Sequence, residues 1–220
     1  MTTTLTPDRA TVGAGAIAEY EAFATLLESL SDAEWRTPTR CEGFAVCDVA
    51  GHVVGLAEDV AKGVPGSRTA EQEAASVRDD GPAGAAARLR VAVDAVRALV
   101  SALDDVAWDG PSGLPDLTLG RGVLTLWYDT FVHADDVRAA LGRASTRGAG
   151  LDASVSYLTG ELDRRGWGPA TIALDGLAER AIGSGGARVT GDPLQFVLIA
   201  TGRADPAALG LDPSVNIYAP

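Results

Sequence analysis

Sulfur is scarce in this sequence: two cysteines, Cys41 and Cys47, and one methionine. A single potential pair makes no disulfide framework. Lysine is nearly missing, and 18 basic side chains face 30 acidic ones for a formal net charge of −12. That balance excludes an extended phosphate-binding surface, which needs clustered cations, so no nucleic-acid partner is expected. The acidity serves solubility. Long hydrophobic runs are also lacking; the apolar stretches are too short and too interrupted to span a bilayer, and no membrane partner is expected. The opening MTTTLTPDRA has neither the basic nor the apolar region of a secretory signal. The expectation is a soluble, cytoplasmic protein. Internal repeats and low-complexity tracts are missing too.

What is present suffices for a core. Hydrophobic residues make up 46% of 220 positions, which suits one larger domain or a main domain with a small appendage. Helical spacing dominates the first two thirds. Ile17, Tyr20, Phe23, Leu26, Leu27 and Leu30 predict a helix over 8–31. Val49, Val53, Leu56 and Val60 mark a second, from Val46 to about Ala61. Leu89, Val93, Val96, Leu99 and Val100 mark a third over 83–105. Val123, Leu124, Trp127, Phe131, Val137 and Leu141 mark a fourth from Arg121 to Leu141, with Gly142 as terminator. The stretches 62–82 and WDGPSGLPDLTLG read as loops, the first with room for a short helical turn. Together these predict a four-helix bundle with two long connections.

After about residue 146 glycine becomes frequent and segments shorten. ATIALDGLAERAI and GGARVTGDP read as strands with glycine turns. LQFVLIATGR, opened by Asp192-Pro193, reads as a helix, and VNIYAP as a final edge strand. The expected organisation is mainly α: a bundle over 1–145 and a small α+β domain over 146–220.

Only two histidines occur, His52 and His133. Each sits mid-helix in an apolar stretch, on the second and fourth predicted helices. Asp129 precedes His133 by four residues, so the two share one helix face, one turn apart. With His52 they form an N/N/O set that suits Zn²⁺, and also Ni²⁺, Fe²⁺ or Mn²⁺. Three protein ligands leave coordination positions open, as catalytic ions require. The rival reading is an ordinary Asp–His hydrogen bond within one helix. Asp48 suits either an acceptor for His52 or a first-turn carboxylate, and the latter is favoured. Asp136, nearly one turn after His133, is read evenly as a supporting acceptor or a solvated acid. Trp35 and Trp127 read as core aromatics. Neither cysteine has an evident redox partner.

The segment WRTPTRCEGFAVCDVAGHVVG resembles the signature W-x-x-P-T-x-C-x-G-W-x-V-x-D-x-x-x-H of the mycothiol-dependent maleylpyruvate isomerase family, of the DinB-like metal-binding superfamily. Phe44 stands where the pattern has its second tryptophan. WYDTFVHADDVRAAL resembles the family's E-x-x-x-H motif, with Asp129 in the place of glutamate. GDPLQFVLIATGRADP resembles the ending of its small C-terminal domain. The resemblance implies a DinB-like four-helix bundle holding a divalent ion, zinc first, through His52, Asp129 and His133. It implies activation of a low-molecular-weight thiol, mycothiol as co-substrate, for addition to a small electrophile by an isomerase or thiol S-transferase. It also implies that Arg203 is functional, pairing a substrate carboxylate; the plain alternative is an arginine capping a helix C-terminus. A monomer or homodimer is expected. Two other readings stay open: a DinB-like metalloenzyme of specialised metabolism that uses no thiol, and a non-catalytic protein that binds a small ligand.

Overall fold

The computed structural model describes residues 7–219. The chain divides into a helical unit, Arg9–Thr146, and a smaller unit that begins at Arg147.

In the helical unit, α1 (Arg9–Glu28), α2 (Val46–Ala61), α4 (Gly81–Ala102) and α6 (Leu119–Ala140) form the bundle. Helix α1 packs on α4 and α6, and α2 packs on the same two helices, which closes the ring. Tyr20, Phe23, Leu27, Val53, Val54 and Leu89 are buried at its centre. Two short helices fill the long connections: α3 (Ala70–Ala75) and α5 (Asp105–Trp108). Local signals start several elements. The Thr69 hydroxyl accepts from the Gln72 amide while the Gln72 side chain accepts from the Thr69 amide, a reciprocal cap that opens α3. Asp104 opens α5 and Thr118 opens α6 in the same manner, one-sidedly.

Both helices that carry the histidines begin at a pinned loop. An isolated antiparallel bridge joins Pro38 to Ala45 just before α2, and another joins Pro111 to Thr118 just before α6. Asp48 then accepts from the Ala45 amide at 3.0 Å, so it serves the first turn of α2, not His52. Trp35 and Trp127 are both buried in this unit.

The C-terminal unit contains α7 (Ala149–Arg164), α8 (Pro193–Ala200) and a three-stranded sheet of β1 (Ala170–Leu174), β2 (Arg180–Ile182) and β3 (Ala187–Gly191). The sheet order is β2-β1-β3, with β1 antiparallel to β2 and parallel to β3. Helix α7 packs on α8 and β2. Asp192 accepts from the Gln195 amide and Pro193 fills the first helical position, as the sequence predicts for α8.

Two expectations fail, and one helix lies in a stretch to which the sequence reading assigns no element: Leu151, Val155, Leu158 and Leu162 bury one face of α7. VNIYAP forms no strand over its described part. Pro213–Val215 is a turn of 3₁₀ helix, and the Ile217 amide donates to the Ala200 carbonyl, closing the end of α8; Pro220 lies outside the described residues. Leu99, placed in the core by its spacing, is 46% exposed, because the buried stripe of α4 ends at Val96. No helix among the described residues is long and apolar enough to cross a membrane.

Candidate metal centre

Helix α2 presents His52, and α6 presents Asp129 and His133 on one face. The structure brings the three together. His52 Nε2 lies 3.4 Å from one Asp129 oxygen, and His133 Nε2 lies 3.5 Å from the other. One ligand atom from each residue falls within 4.8 Å of the others. The rings meet edge to face, with centroids 5.0 Å apart.

These separations bear on the two sequence readings. Both exceed the roughly 2.7–3.2 Å of a good N–H···O bond, so a simple helical Asp–His hydrogen bond describes the pair poorly. Two ligands each about 2.1 Å from an ion at tetrahedral angles stand about 3.4 Å apart. The donor set and its spacing therefore fit a divalent cation. Side-chain exposures of 15–19% leave the three partly open, so a fourth position remains accessible.

The opposite edge of each imidazole is anchored. His52 Nδ1 lies 2.7 Å from a Glu73 oxygen, and His133 Nδ1 lies 2.9 Å from an Asp136 oxygen. An ionised carboxylate only accepts, so each Nδ1 holds the proton and each Nε2 lone pair faces the centre. This is the carboxylate–histidine support that metal sites use to fix ring orientation and basicity. Burial opposes charge on His52, yet the Asp129 carboxylate and then Glu73 outweigh it and raise its pKa to about 10.

Glu73 is the site residue that sequence reasoning missed, since it lies in the stretch 62–82 that reads as loop. It is 3% exposed. It reaches His52 only because α3 lies directly on α2. A Cβ at Gly51 would stand 2.6 Å from the Ala74 Cα, and one at Gly55 would stand 2.6 Å from the Glu73 Cβ. Two glycines four residues apart, flanking His52, were the available signal.

Asp136 is fully buried and gathers the loop that precedes α2. It accepts from Arg40 Nε at 2.6 Å and from the Cys41 thiol at 3.1 Å, while Arg40 Nη2 donates to Asp135 at 2.7 Å. The loop thus positions His133 through Asp136. Cys41, His133 and Asp136 also meet the spacing of a ligand group. The guanidinium already on Asp136 opposes a second cation there.

Arg203 belongs to the C-terminal unit. It follows α8, is half-buried, and its Nη1 donates to the Thr201 carbonyl at 3.2 Å. That contact is the helix-end cap of the plainer reading.

Residues 17–138 match the family model described as the mycothiol maleylpyruvate isomerase N-terminal domain. No curated protein matches the chain. Among solved structures, the fold is similar to that of a mycothiol-dependent maleylpyruvate isomerase, with 17% identity, a TM-score of 0.69 and 93% of each chain covered. It is also similar to a histidine-to-alanine mutant of such an isomerase, at 17% identity, a TM-score of 0.63 and the same coverage.

Proposed function

Because this chain belongs to the mycothiol maleylpyruvate isomerase N-terminal-domain family, we propose that it is a metal-dependent enzyme that adds a low-molecular-weight thiol, mycothiol, to a small electrophile. The outcome is isomerisation of the electrophile or transfer of the thiol to it. The observation that carries this reading is the convergence of His52, Asp129 and His133 at tetrahedral-edge spacing, with both outer ring nitrogens held by carboxylates.

His52, Asp129 and His133 would hold the ion, zinc first. When bound, such an ion supplies thiolate at neutral pH by lowering the pKa of a coordinated thiol. The protein's own residues do the rest. Glu73 and Asp136 hold the imidazoles with Nε2 inward, which spares the reorientation cost at each turnover. Asp129 offers one negative charge, so two neutral imidazoles and one carboxylate leave a divalent centre net positive and attractive to a thiolate. Arg40 balances Asp135 and Asp136 away from the centre. Arg203 is kept as a candidate for pairing a carboxylate, to which a guanidinium can present two donors.

Elemental analysis of tag-free protein purified without chelator tests the centre. About one equivalent of zinc in the wild type, lost in His52→Ala and His133→Ala, is the expected result. Turnover of maleylpyruvate-like or epoxide electrophiles should then require both zinc and mycothiol. A zinc-loaded protein that shows no thiol-dependent turnover across such a panel would refute the thiol chemistry and favour a metalloenzyme that uses none.

A further inference from the structure

Helices α2 and α6 run antiparallel past the candidate centre. One turn along α2 from His52 stands Leu56, and one turn further stands Val60. Backwards along α6 from Asp129, Leu126 and Thr125 occupy the corresponding turn. These four side chains line one pocket, closed by Leu114 and Leu117 from the loop that the Pro111–Thr118 bridge pins. It begins about one helical pitch, roughly 5.4 Å, from the ligand residues.

The pocket is apolar in a specific sense. No charged residue lines it. Of its two hydroxyls, Thr125 Oγ1 already donates to the Arg121 carbonyl at 2.9 Å, and Ser112 Oγ accepts from the Leu114 amide at 3.2 Å. A carboxylate placed here would exchange its hydration for at most the Ser112 hydroxyl, with no cation in the lining to balance it. The pocket's volume is about 150 Å³. An apolar cavity of roughly that size holds one benzene molecule.

We infer that the electrophilic substrate bears a compact apolar group, an aryl ring or a short alkyl chain of roughly six carbons, which seats between α2 and α6 beside the reacting centre. The inference rests on the reading of His52, Asp129 and His133 as that centre. It deepens the proposed function by naming a substrate class: an electrophile whose end nearest the bundle is hydrocarbon and uncharged.

Two measurements test it on the full chain. The first is saturation-transfer NMR with toluene, on protein as purified and after chelation. Toluene should bind in both forms and should lose contact in Val60→Phe, which fills the pocket, and in Leu114→Asp, which charges its mouth. The second uses zinc-loaded protein and hydroxamates with methyl, pentyl and carboxyethyl tails. Affinity should rise by about fourfold per methylene until the pocket is full. The carboxyethyl tail should gain nothing. In Val60→Phe the tail dependence should vanish, while zinc content and affinity for the methyl compound stay as in wild type. Zinc-loaded protein that ignores toluene, or that prefers the carboxyethyl tail, overturns the inference on its own ground. Protein that binds toluene but takes up neither zinc nor the methyl hydroxamate overturns it through its premise.

Discussion

Gly51→Ala separates packing from chemistry, because the new methyl meets backbone and cannot rotate away. Its Cβ would stand 2.6 Å from both the Cα and the carbonyl oxygen of Ala74, where ordinary contact begins at 3.4 Å. Helix α3 must retreat by that difference. Glu73, now 2.7 Å from His52 Nδ1, then leaves hydrogen-bond range. Two opposing terms set the stability change. Overpacking costs about 1–3 kcal/mol. Replacing glycine by alanine in a helix interior returns about 1 kcal/mol. The net loss is therefore small, about 0–2 kcal/mol, and the protein stays folded. Metal affinity responds differently: loss of a carboxylate that orients a liganding histidine typically costs about 10–100-fold. Zinc competition against a chromophoric chelator, beside urea unfolding of the chelated protein, reads both quantities. Glu73→Gln should weaken zinc to a similar extent, and the double variant should lose little more, since both changes act on one contact. Gly122→Ala is the control, because its methyl meets only a Leu117 methyl at 3.7 Å. Wild-type zinc affinity in Gly51→Ala would refute the argument that α3 supports the centre.

Two further outcomes follow from charge placement. Arg40→Ala leaves Asp135, 2% exposed, and Asp136, fully buried, without the guanidinium they share; a loss on the order of 3 kcal/mol is expected in urea unfolding, and Arg40→Lys should not restore it because two separate nitrogens are needed. Glu34 is held down to about 2 by hydrogen bonds from the Ser31 amide and hydroxyl and then by Arg143. A depressed carboxyl contributes stability above its unfolded value near 4.5 and loses it as pH falls through about 2. Glu34→Gln should flatten the stability profile over that window, and an unchanged slope would discount the contact.

Much of this architecture was legible in the sequence because long amphipathic helices repeat their signal. Tyr20, Phe23 and Leu27, or Val123, Trp127 and Phe131, repeat helical spacing often enough to outweigh local exceptions. The approach of His52, Asp129 and His133 to one another was legible because histidine is rare here and a four-residue step fixes a shared helix face. Helix α7 was obscured by its flanks: Gly148 and Gly150 stand at its start and Gly166 just past its end, although Leu151, Val155, Leu158 and Leu162 hold the helical rhythm. VNIYAP alternates like a strand, but no strand of the sheet pairs with its described part; the Ile217 amide donates to the end of α8 and the neighbouring amides bond within local turns. Glu73 was hidden for a different reason. Its role depends on a contact between two elements, and periodicity within one segment says nothing about a neighbour's backbone. The Thr69–Gln72 cap and the Gly51/Gly55 pair were the traces such a contact left.

The brevity of α3 has a consequence for timing. Isolated helices shorter than about 12–15 residues are marginal in water, and α3 has six. Its order is borrowed from the groove that Gly51 and Gly55 leave open on α2. Segments of this kind open locally at a fraction of the global unfolding free energy. Each opening frees Glu73 and lets the His52 ring exchange its proton or turn over, while Asp136 keeps His133 fixed from the bundle interior. The expected outcome is two histidines on different clocks, one set by the core and one by a six-residue strut. Amide exchange in Glu73 and Ala74 would measure the faster of them, and an ion joining His52 to Asp129 and His133 would slow it.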